Sequence, residues 1–314
     1  MKKLGLLCAL LVVVCAGNAF AAGKGDNLIT AKKVSKDPVD VTSAEWGSAK
    51  EATLINDGAS GGPFEKKTLE VKVKAVYTKG GNVSVLFSWP DSTQNLAKEP
   101  WKFSKGKWTK STDDEDKLAI NWEIKRIKNF ATKGCTVVCH SESKNKEDWK
   151  YHTDTATERG DIWEWKAYSS GLLGYAEDGY VDDDSRKGDA GTGKAKKNES
   201  ADKKKPKSVQ GSKTSIPGAL LEGETVDLKT AKEGDTVPSW ILSKFSGSMA
   251  DVKANAKWAN GKWNLMLQRK LETSDKENDV QFDTRKDFNF GVAVFNNSSR
   301  HNSYNSGPLK LKFD

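Results

Sequence analysis

The sequence predicts an all-β protein built as an antiparallel β-sandwich. Two observations lead to this fold class. Apolar and polar residues alternate with a period of two over several separate stretches, which is the pattern of strands with one buried face. Turns rich in glycine and asparagine separate these stretches, and the chain shows little of the 3.6-residue periodicity that amphipathic helices require.

The clearest pair of strands lies early in the chain. Apolar residues alternate with charged ones over residues 68–77, and a second alternating stretch over 83–89 follows the turn Lys79–Asn82. Two such stretches around a short glycine-containing turn predict a β-hairpin. Further strands are predicted where apolar residues recur at every second position, in the sets Leu118, Ile120, Trp122 and Ile124; Trp263, Leu265 and Leu267; Phe288, Phe290, Val292 and Val294; and Leu309, Leu311 and Phe313.

The stretch from Phe130 to about Val237 lies between these sets of strands and is predicted to be a long irregular insertion that carries the ligand site. Residues 182–214 within it are polar and rich in lysine, which indicates a solvated loop. Long excursions from a rigid β scaffold often hold its binding residues. Because no internal repeat and no second hydrophobic core is visible, residues 22–314 are predicted to form a single domain.

Residues 1–21 have the features of a secretory signal peptide. Lys2 and Lys3 precede an apolar run over residues 4–17, and Ala-Phe-Ala at 19–21 has the small-x-small pattern of a cleavage site. We therefore expect the mature protein to be exported to an oxidising compartment, the bacterial periplasm. No second apolar stretch approaches the length of a bilayer span, so no membrane span is expected in the mature chain.

The charge of the chain argues against nucleic acid as a partner. The sequence holds 51 basic and 43 acidic residues, and its formal net charge of +8 falls to +6 when Lys2 and Lys3 leave with the signal peptide. This excess is modest and its residues are scattered, whereas a nucleic-acid site needs a basic patch. A surface of this kind favours acidic protein partners.

The stretch Cys135–His140 carries the strongest functional signal. Cys135 and Cys139 are the only cysteines beyond the signal peptide, and His140 follows the second one directly. Attachment of c-type haem uses two thiols and a neighbouring histidine that binds the iron. The usual motif has two residues between the cysteines, and this chain has three. We predict one haem anchored by Cys135 and Cys139, with His140 as the proximal iron ligand.

Other interpretations of the cysteine pair stay open. In an oxidising compartment Cys135 and Cys139 could form a small disulfide loop, with His140 an ordinary polar neighbour. Structural zinc is poorly supported, because the chain has three histidines and no second cysteine pair to complete the ligand set. No catalytic triad, phosphate loop or two-histidine metal motif stands out, so we expect an electron carrier rather than an enzyme.

The 11 tryptophans allow two interpretations. Large indole rings suit the core of a sandwich of this size. Exposed rings could instead stack on sugars, which would make the protein a haem-free carbohydrate-binding or other ligand-binding sandwich. The tryptophans expected to pack in the core are Trp46, Trp89, Trp122, Trp163, Trp165 and Trp263.

The chain also resembles the ethylbenzene-dehydrogenase-like haem-binding domain family, known too as the cytochrome c-552/DMSO-reductase-like haem-binding domain family. Asp161–Ala167 is similar to its D-x-W-x-W-K-A element, and residues 174–182 are similar to its glycine- and acid-rich continuation. Residues 73–91 resemble its early hairpin, and segments within 237–301 resemble its C-terminal signature. The likeness extends from about Val39 to the end of the chain.

This resemblance implies a haem-binding β-sandwich related in fold to family-9-type carbohydrate-binding modules. In members that serve molybdenum oxidoreductases, a methionine and a lysine hold haem b, which passes electrons to or from an iron–sulfur subunit. The lysine corresponds to Lys166, and Trp163 and Trp165 are its expected neighbours at the cofactor. No methionine stands near Asn121 and Trp122, where the other ligand is expected.

The resemblance thus gives an alternative function, a haem b subunit of a molybdenum oxidoreductase in which Cys135 and Cys139 form a disulfide. For either haem, the redox partner would be another cytochrome or an iron–sulfur or molybdenum enzyme. The primary prediction remains a periplasmic electron-transfer protein with one c-type haem.

The second iron ligand is predicted to be Lys166, with His152 as the alternative. A lysine must lose its proton to bind iron, which costs about 4.6 kcal/mol at pH 7 from a reference pKa near 10.4. Histidine avoids most of this cost. Burial between Trp163 and Trp165 is expected to lower the pKa of Lys166 and recover part of the difference.

Overall fold

The computed structural model describes residues 25–59, 64–140 and 150–314, and the predicted signal peptide lies outside them. Strands dominate this part of the chain. The first twelve are β1 (Leu28–Lys33), β2 (Ala52–Gly58), β3 (Thr68–Tyr77), β4 (Asn82–Pro90), β5 (Trp101–Ser104), β6 (Lys107–Lys110), β7 (Lys117–Lys125), β8 (Cys139–His140), β9 (Lys150–Tyr151), β10 (Arg159–Lys166), β11 (Glu177–Val181) and β12 (Arg186–Gly188). Those that follow are β13 (Gly191–Thr192), β14 (Lys196–Lys197), β15 (Ser208–Gln210), β16 (Thr225–Asp227), β17 (Thr236–Val237), β18 (Trp240–Ile241), β19 (Ser246–Gly247), β20 (Lys253–Ala259), β21 (Lys262–Lys270), β22 (Phe288–Phe295), β23 (Ser303–Tyr304) and β24 (Leu309–Phe313).

Helical structure in the described residues is limited to short segments, as the lack of helical periodicity predicts. They are α1 (Phe130–Lys133) and the 3₁₀ turns Ala44–Gly47, Gly134–Val138, Gly171–Leu173 and Ser248–Ala250. No helix among these residues is long and apolar enough to cross a membrane.

The main sheet has 13 strands and forms two facing layers. Strands β12-β11-β10-β7-β22 make one layer, here called the front layer, and β2-β3-β4-β21-β20 make the back layer. Strand β23 joins the layers between β22 and β2. Trp163 and Val292 of the front layer share one hydrophobic cluster with Phe87 and Leu265 of the back layer. The predicted antiparallel β-sandwich is therefore confirmed.

One connection between the layers is parallel. Strand β1 pairs in parallel with both β24 and β3, whereas the other pairs of the main sheet are antiparallel. Ile29 and Ala31 of β1 lie in the core, where they meet residues brought from the far end of the chain. Alternation within the sequence carries no information about this pairing, because β1 and its partner β24 lie at opposite ends of the chain.

The prediction of one long irregular insertion over 130–237 is wrong in part. Strands β10 and β11 lie inside this range and belong to the front layer. Their alternation is hidden because both faces of β10 are covered, so that every residue from Gly160 to Trp165 is buried. The remainder fits the prediction better: Lys203–Lys205 are exposed, and residues 182–214 form only very short strands.

The outer face of the front layer supports the region of the two cysteines. Asn121 of β7 lies beside Ile162 of β10 on one side and beside Gly291 of β22 on the other. These three face away from the core because their chain neighbours, such as Trp122 and Trp163, face into it. Residues 127–140, here called the cysteine segment, pack over this outer face.

Candidate functional site

Cys135 lies beneath the cysteine segment, in contact with the sheet. Its side chain belongs to a small apolar cluster with Ile127, Phe130 and Val138. A Cβ atom placed on Gly291 would lie 2.6 Å from the Cys135 sulfur, so the two residues are in direct contact. Burial, with a smaller contribution from the charge of Cys139, raises the pKa of the Cys135 thiol to about 12. Cys135 is therefore a protonated, inaccessible thiol at neutral pH.

Cys139 and the two predicted histidine ligands come together at the edge of this segment. Strand β8 pairs with β9, which places Cys139 opposite Tyr151 and brings His152 next to His140. The two imidazole rings, here called the histidine pair, stack with their centroids 4.2 Å apart. The His140 side chain is 38% exposed, and its Nε2 lies 3.8 Å from Asp154 Oδ1. The histidine pair is thus accessible from solvent, unlike Cys135.

Tyr151 joins the cysteine segment to the front layer. Its hydroxyl accepts a hydrogen bond of 2.9 Å from Asn121 Nδ2. Burial raises the pKa of Tyr151 well above 10, and the nearby Cys135 and Cys139 act in the same direction, whereas Arg186 opposes them. Tyr151 therefore remains a neutral phenol that lies close both to the cysteines and to Arg186.

Lys166 lies on the outer face at the end of β10, in a group of four charges here called the lysine cluster. Its Nζ is 2.7 Å from Glu177 Oε2 and 3.1 Å from Glu164 Oε2, and Arg186 Nη2 lies 2.7 Å from the same oxygen of Glu164. Burial alone would lower the pKa of Lys166, but Glu164 and Glu177 outweigh it and raise the pKa above its ordinary value. The expectation of a lowered lysine pKa is therefore wrong.

The two tryptophans of β10 face the opposite side from Lys166. Trp163 is packed 5.3 Å from Trp122, and Trp165 is packed 4.9 Å from Trp263, measured between ring centroids. Both are fully buried in the core between the layers. Alternation along the strand separates them from Lys166, so they neither enclose its side chain nor lower its pKa. The structure favours packing for these two indoles, and contact with a cofactor stays a prediction.

Lys166 lines a pocket of about 290 Å³ at this end of the front layer. Its wall is rich in cations, formed by Lys98, Lys166, Arg186, Lys187 and Lys194, with Trp240 and Glu177. Lys98 also lines a neighbouring pocket of about 450 Å³, whose other walls include the apolar side chains Leu96, Leu220 and Val237. Four of these cations are ion-paired: Lys98 with Glu115, Lys166 and Arg186 with Glu164, and Lys187 with Asp182. An acidic ligand group bound here would have to compete with those carboxylates.

The predicted site residues therefore fall into two groups rather than one. Cys139, His140 and His152 lie together, and Cys135 lies beneath them. Lys166 has other partners, and the described residues show no contact between it and the histidine pair.

The fit to a covalent haem is partial. His140, His152 and Cys139 are all partly exposed. One nitrogen of each ring is already engaged, since His140 Nε2 lies 3.2 Å from the His152 carbonyl and His152 Nδ1 lies 2.7 Å from the Thr153 carbonyl. Cys135 does not fit in its packed position, because its sulfur is held against Gly291. A thioether at Cys135 would require the cysteine segment to lie farther from Gly291 than it does here.

Sequence reasoning missed a second group of charged residues, in the core. Asp161 and Arg269 form an ion pair of 2.7 Å with both side chains fully buried. Asp178 and Asp279 lie beside them. The sequence does contain one indication of this buried charge. Asp161 occupies an inward position of the same strand as Trp163, where an apolar residue is expected.

Comparison with known proteins gives the family. The profile described as ethylbenzene dehydrogenase matches residues 35–307. The chain belongs to the ethylbenzene dehydrogenase family. The resemblance seen in the D-x-W-x-W-K-A element Asp161–Ala167 and its flanking segments is thereby confirmed, over nearly the whole range predicted for it.

Two further comparisons add little to the family assignment. No curated protein matches the chain. A crystal structure of a protein from Bacteroides uniformis ATCC 8492, named as a candidate carbohydrate-binding protein, aligns with 93% of this chain and 100% of its own. Its identity is 9% and its TM-score is 0.41, a level of likeness on which no argument rests.

Proposed function

We propose that the protein is an exported electron-transfer protein with one c-type haem and no substrate chemistry of its own. The observation that carries the proposal is the histidine pair, which lies next to Cys139 in a chain of the ethylbenzene dehydrogenase family. Thiol and imidazole groups side by side are the protein groups that attach and ligate such a haem.

In this proposal Cys135 and Cys139 form the thioethers and His140 is the proximal ligand. Lys166 is an ammonium held by two carboxylates, which disfavours it as the second ligand. His152 would take that role, and its ring would have to leave the stack on His140 to do so. The bound haem would supply a reversible one-electron change. The neutral phenol of Tyr151 and its bond to Asn121 would hold the attachment segment against the sheet.

The second candidate is a haem b subunit of a molybdenum oxidoreductase, with a disulfide between Cys135 and Cys139. The pocket that Lys166 lines favours it, because its cations could pair with haem propionates and the neighbouring pocket is apolar. Lysine ligation would require the ammonium of Lys166 to lose its proton despite Glu164 and Glu177. A haem-free ligand-binding sandwich is the third possibility.

Family membership supports association with an oxidoreductase complex. The partner in that complex would be another cytochrome or an iron–sulfur or molybdenum enzyme, and the sequence of residues 1–21 supports export to the periplasm. We expect neither nucleic acid nor a membrane span to be involved.

The test is a redox titration of the full-length protein, produced in a bacterial strain that exports it and attaches c-type haem. We expect a Soret band that shifts on reduction with dithionite and returns on reoxidation. His140→Ala should lose the low-spin spectrum, whereas Asp287→Asn, at an exposed aspartate outside the site, should keep it. A colourless wild-type protein would contradict the proposal.

A further inference from the structure

Basic residues occur along the whole chain, but the excess of positive over negative charge does not. Residues 194–207, here called the lysine segment, contain seven lysines, all exposed, and two acidic residues, Glu199 and Asp202. Their net charge of +5 compares with +6 for all residues beyond the predicted signal peptide, so the rest of that chain carries only +1. Charge that serves solubility alone can be mixed in sign and spread over the surface. This concentration therefore calls for a local explanation.

One buried asparagine orders the lysine segment. Asn198 is 1% exposed, and its Oδ1 accepts hydrogen bonds from the backbone N–H groups of Lys207 and Ser208, at 3.2 and 2.9 Å. Its Nδ2 donates to the carbonyls of Ser208 and Pro238, at 2.8 and 2.9 Å, and its own carbonyl accepts from the Trp101 indole at 2.8 Å. A buried polar group with its partners in place favours one conformation. The loop between Asn198 and Lys207 is thus closed at its base and fixed to β5.

Three adjacent lysines lie at the tip of this closed loop. The backbone N–H of Ser200 donates to the carbonyl of Lys205, and that of Lys203 donates to the carbonyl of Ser200, both at 2.8 Å. The side chains of Lys203, Lys204 and Lys205 are exposed and form no ion pair among the described residues. The tip therefore holds three ammonium groups on an ordered backbone.

The acidic residues of the segment do not neutralise this tip. Glu199 is ion-paired at 3.0 Å with Lys110, which lies outside the segment on β6. Asp202 accepts a hydrogen bond of 2.6 Å from the Ser200 hydroxyl and lies near Lys204 and Lys205. One carboxylate beside three ammonium groups leaves a positive potential that an acidic surface can complement.

Two features of the segment favour a protein as its partner. None of the exposed large apolar side chains of the described residues lies in it, whereas binding to a membrane surface combines cations with apolar groups that enter the lipid. It also contains no arginine, the residue whose planar fork best recognises the phosphates of nucleic acids. Lysine ammonium groups attract carboxylates as point charges, which suits a rapid encounter that salt weakens.

We propose that the lysine segment is the docking surface for an acidic protein. Lys203, Lys204 and Lys205 attract carboxylates of the partner, and the contacts of Asn198 hold the loop in place before binding, which reduces the entropy lost on association. At the other end of the segment Lys194 lines the pocket of Lys166, so a docked partner would lie beside that pocket. That this partner is the redox partner rests on the proposed function, whereas the docking surface itself does not.

Fluorescence anisotropy of labelled poly-L-glutamate, titrated with the full-length protein, tests this surface with a defined acidic polypeptide. We expect binding that weakens as the NaCl concentration rises. Exchange of all three tip lysines, Lys203→Glu with Lys204→Glu and Lys205→Glu, should lower the affinity by roughly tenfold or more. Asn198→Ala keeps every lysine but opens the base of the loop, and should lower the affinity by a smaller factor. An unchanged affinity in Asn198→Ala would contradict the role given to the ordered loop.

The matched control carries Lys50→Glu, Lys66→Glu and Lys67→Glu, at exposed lysines outside the segment, and has the same change in net charge. It should stay close to wild type. Equal losses in the two triple variants would show that total charge alone attracts the peptide and would overturn the proposal. Tighter binding to phosphatidylglycerol vesicles or to double-stranded DNA would overturn it in favour of a membrane or a nucleic acid. The titration requires no haem, so a colourless protein would contradict the proposed function and leave this result intact.

Discussion

Cys135 packs directly on Gly291, so closely that a Cβ atom at position 291 would lie 2.6 Å from both the sulfur and the Cβ of Cys135. Real Cβ atoms do not approach other atoms to this distance, so a side chain at 291 would displace the cysteine segment. This contact fixes the height of the segment above the front layer. It also explains why Cys135 is buried while Cys139, four residues later, is half-exposed.

Gly291→Ala should therefore destabilise the protein by about 1–3 kcal/mol, the usual cost of adding a methyl group to a closely packed site. Urea denaturation measures this loss in the free energy of unfolding. Gly307→Ala is the control, because a Cβ there meets no atom within 4 Å. Equal stabilities of the two variants would show that Cys135 does not pack on the sheet as described.

Replacing both cysteines separates thioether anchors from a disulfide. If Cys135 and Cys139 anchor haem, the variant Cys135→Ala with Cys139→Ala should lose covalent haem and much of its stability. If they form a disulfide, the loop is short and the loss should lie at the low end of about 0–5 kcal/mol, with haem content unchanged. Haem per polypeptide and urea denaturation of the same preparation give both answers.

The identity of the second iron ligand depends on whether the haem binds at the histidine pair or at the lysine cluster. We expect His152→Ala to abolish the low-spin signature in electron paramagnetic resonance or magnetic circular dichroism, and Lys166→Ala to leave it unchanged. The reason is that Lys166 is an ammonium ion-paired with Glu164 and Glu177. The opposite result would place the iron at Lys166 and favour the haem b subunit.

Asp116 should make stability depend on pH. Burial, with the nearby charge of Asp91, raises the pKa of Asp116 to about 6 despite hydrogen bonds from Asn95, Asn297 and Trp263. Between the unfolded pKa near 4 and this value the folded protein binds more protons than the unfolded chain. The contribution of Asp116 to the free energy of unfolding should therefore fall as pH rises through this window, by about 1–2 kcal/mol once solvent screening is allowed for.

Urea denaturation at intervals from pH 4 to pH 7 measures this slope. Asp116→Asn should be less stable at low pH, because it loses accepted hydrogen bonds, but its stability should vary less across the window. Asp287→Asn, at an exposed position, should reproduce the wild-type slope. A slope unchanged by Asp116→Asn would show that another group causes it.

Strands with one polar face were predictable because their alternation is local. Residues 68–77 and 82–90 form the predicted hairpin, and the sets around Trp122, Leu265 and Val292 form sheet strands. Strand β10 was not predicted, because both of its faces are covered and its buried residues therefore do not alternate with exposed ones. The parallel pairing of β1 with β24 joins residues from opposite ends of the chain, so no local sequence pattern predicts it.

The site was predictable only where its residues are close in sequence. Cys135, Cys139 and His140 form a short motif, and the β8–β9 pairing brings His152 to them. Lys166 shares the outer face of the front layer with them, but it lies four residues farther along β10 than Ile162, beside Glu177. The buried carboxylates around Arg269 come from separate segments, since Asp161 lies on β10, Asp178 on β11 and Asp279 in the connection from β21 to β22.

The most direct test of the central claim is the absorption spectrum of the exported full-length protein before and after extraction with acidified acetone. We predict a Soret band whose colour stays with the polypeptide, because Cys135 and Cys139 bind the haem covalently. Colour that moves into the acetone would reject covalent attachment and favour haem b. A colourless protein from a strain able to attach haem would contradict the account of a haem-binding electron carrier.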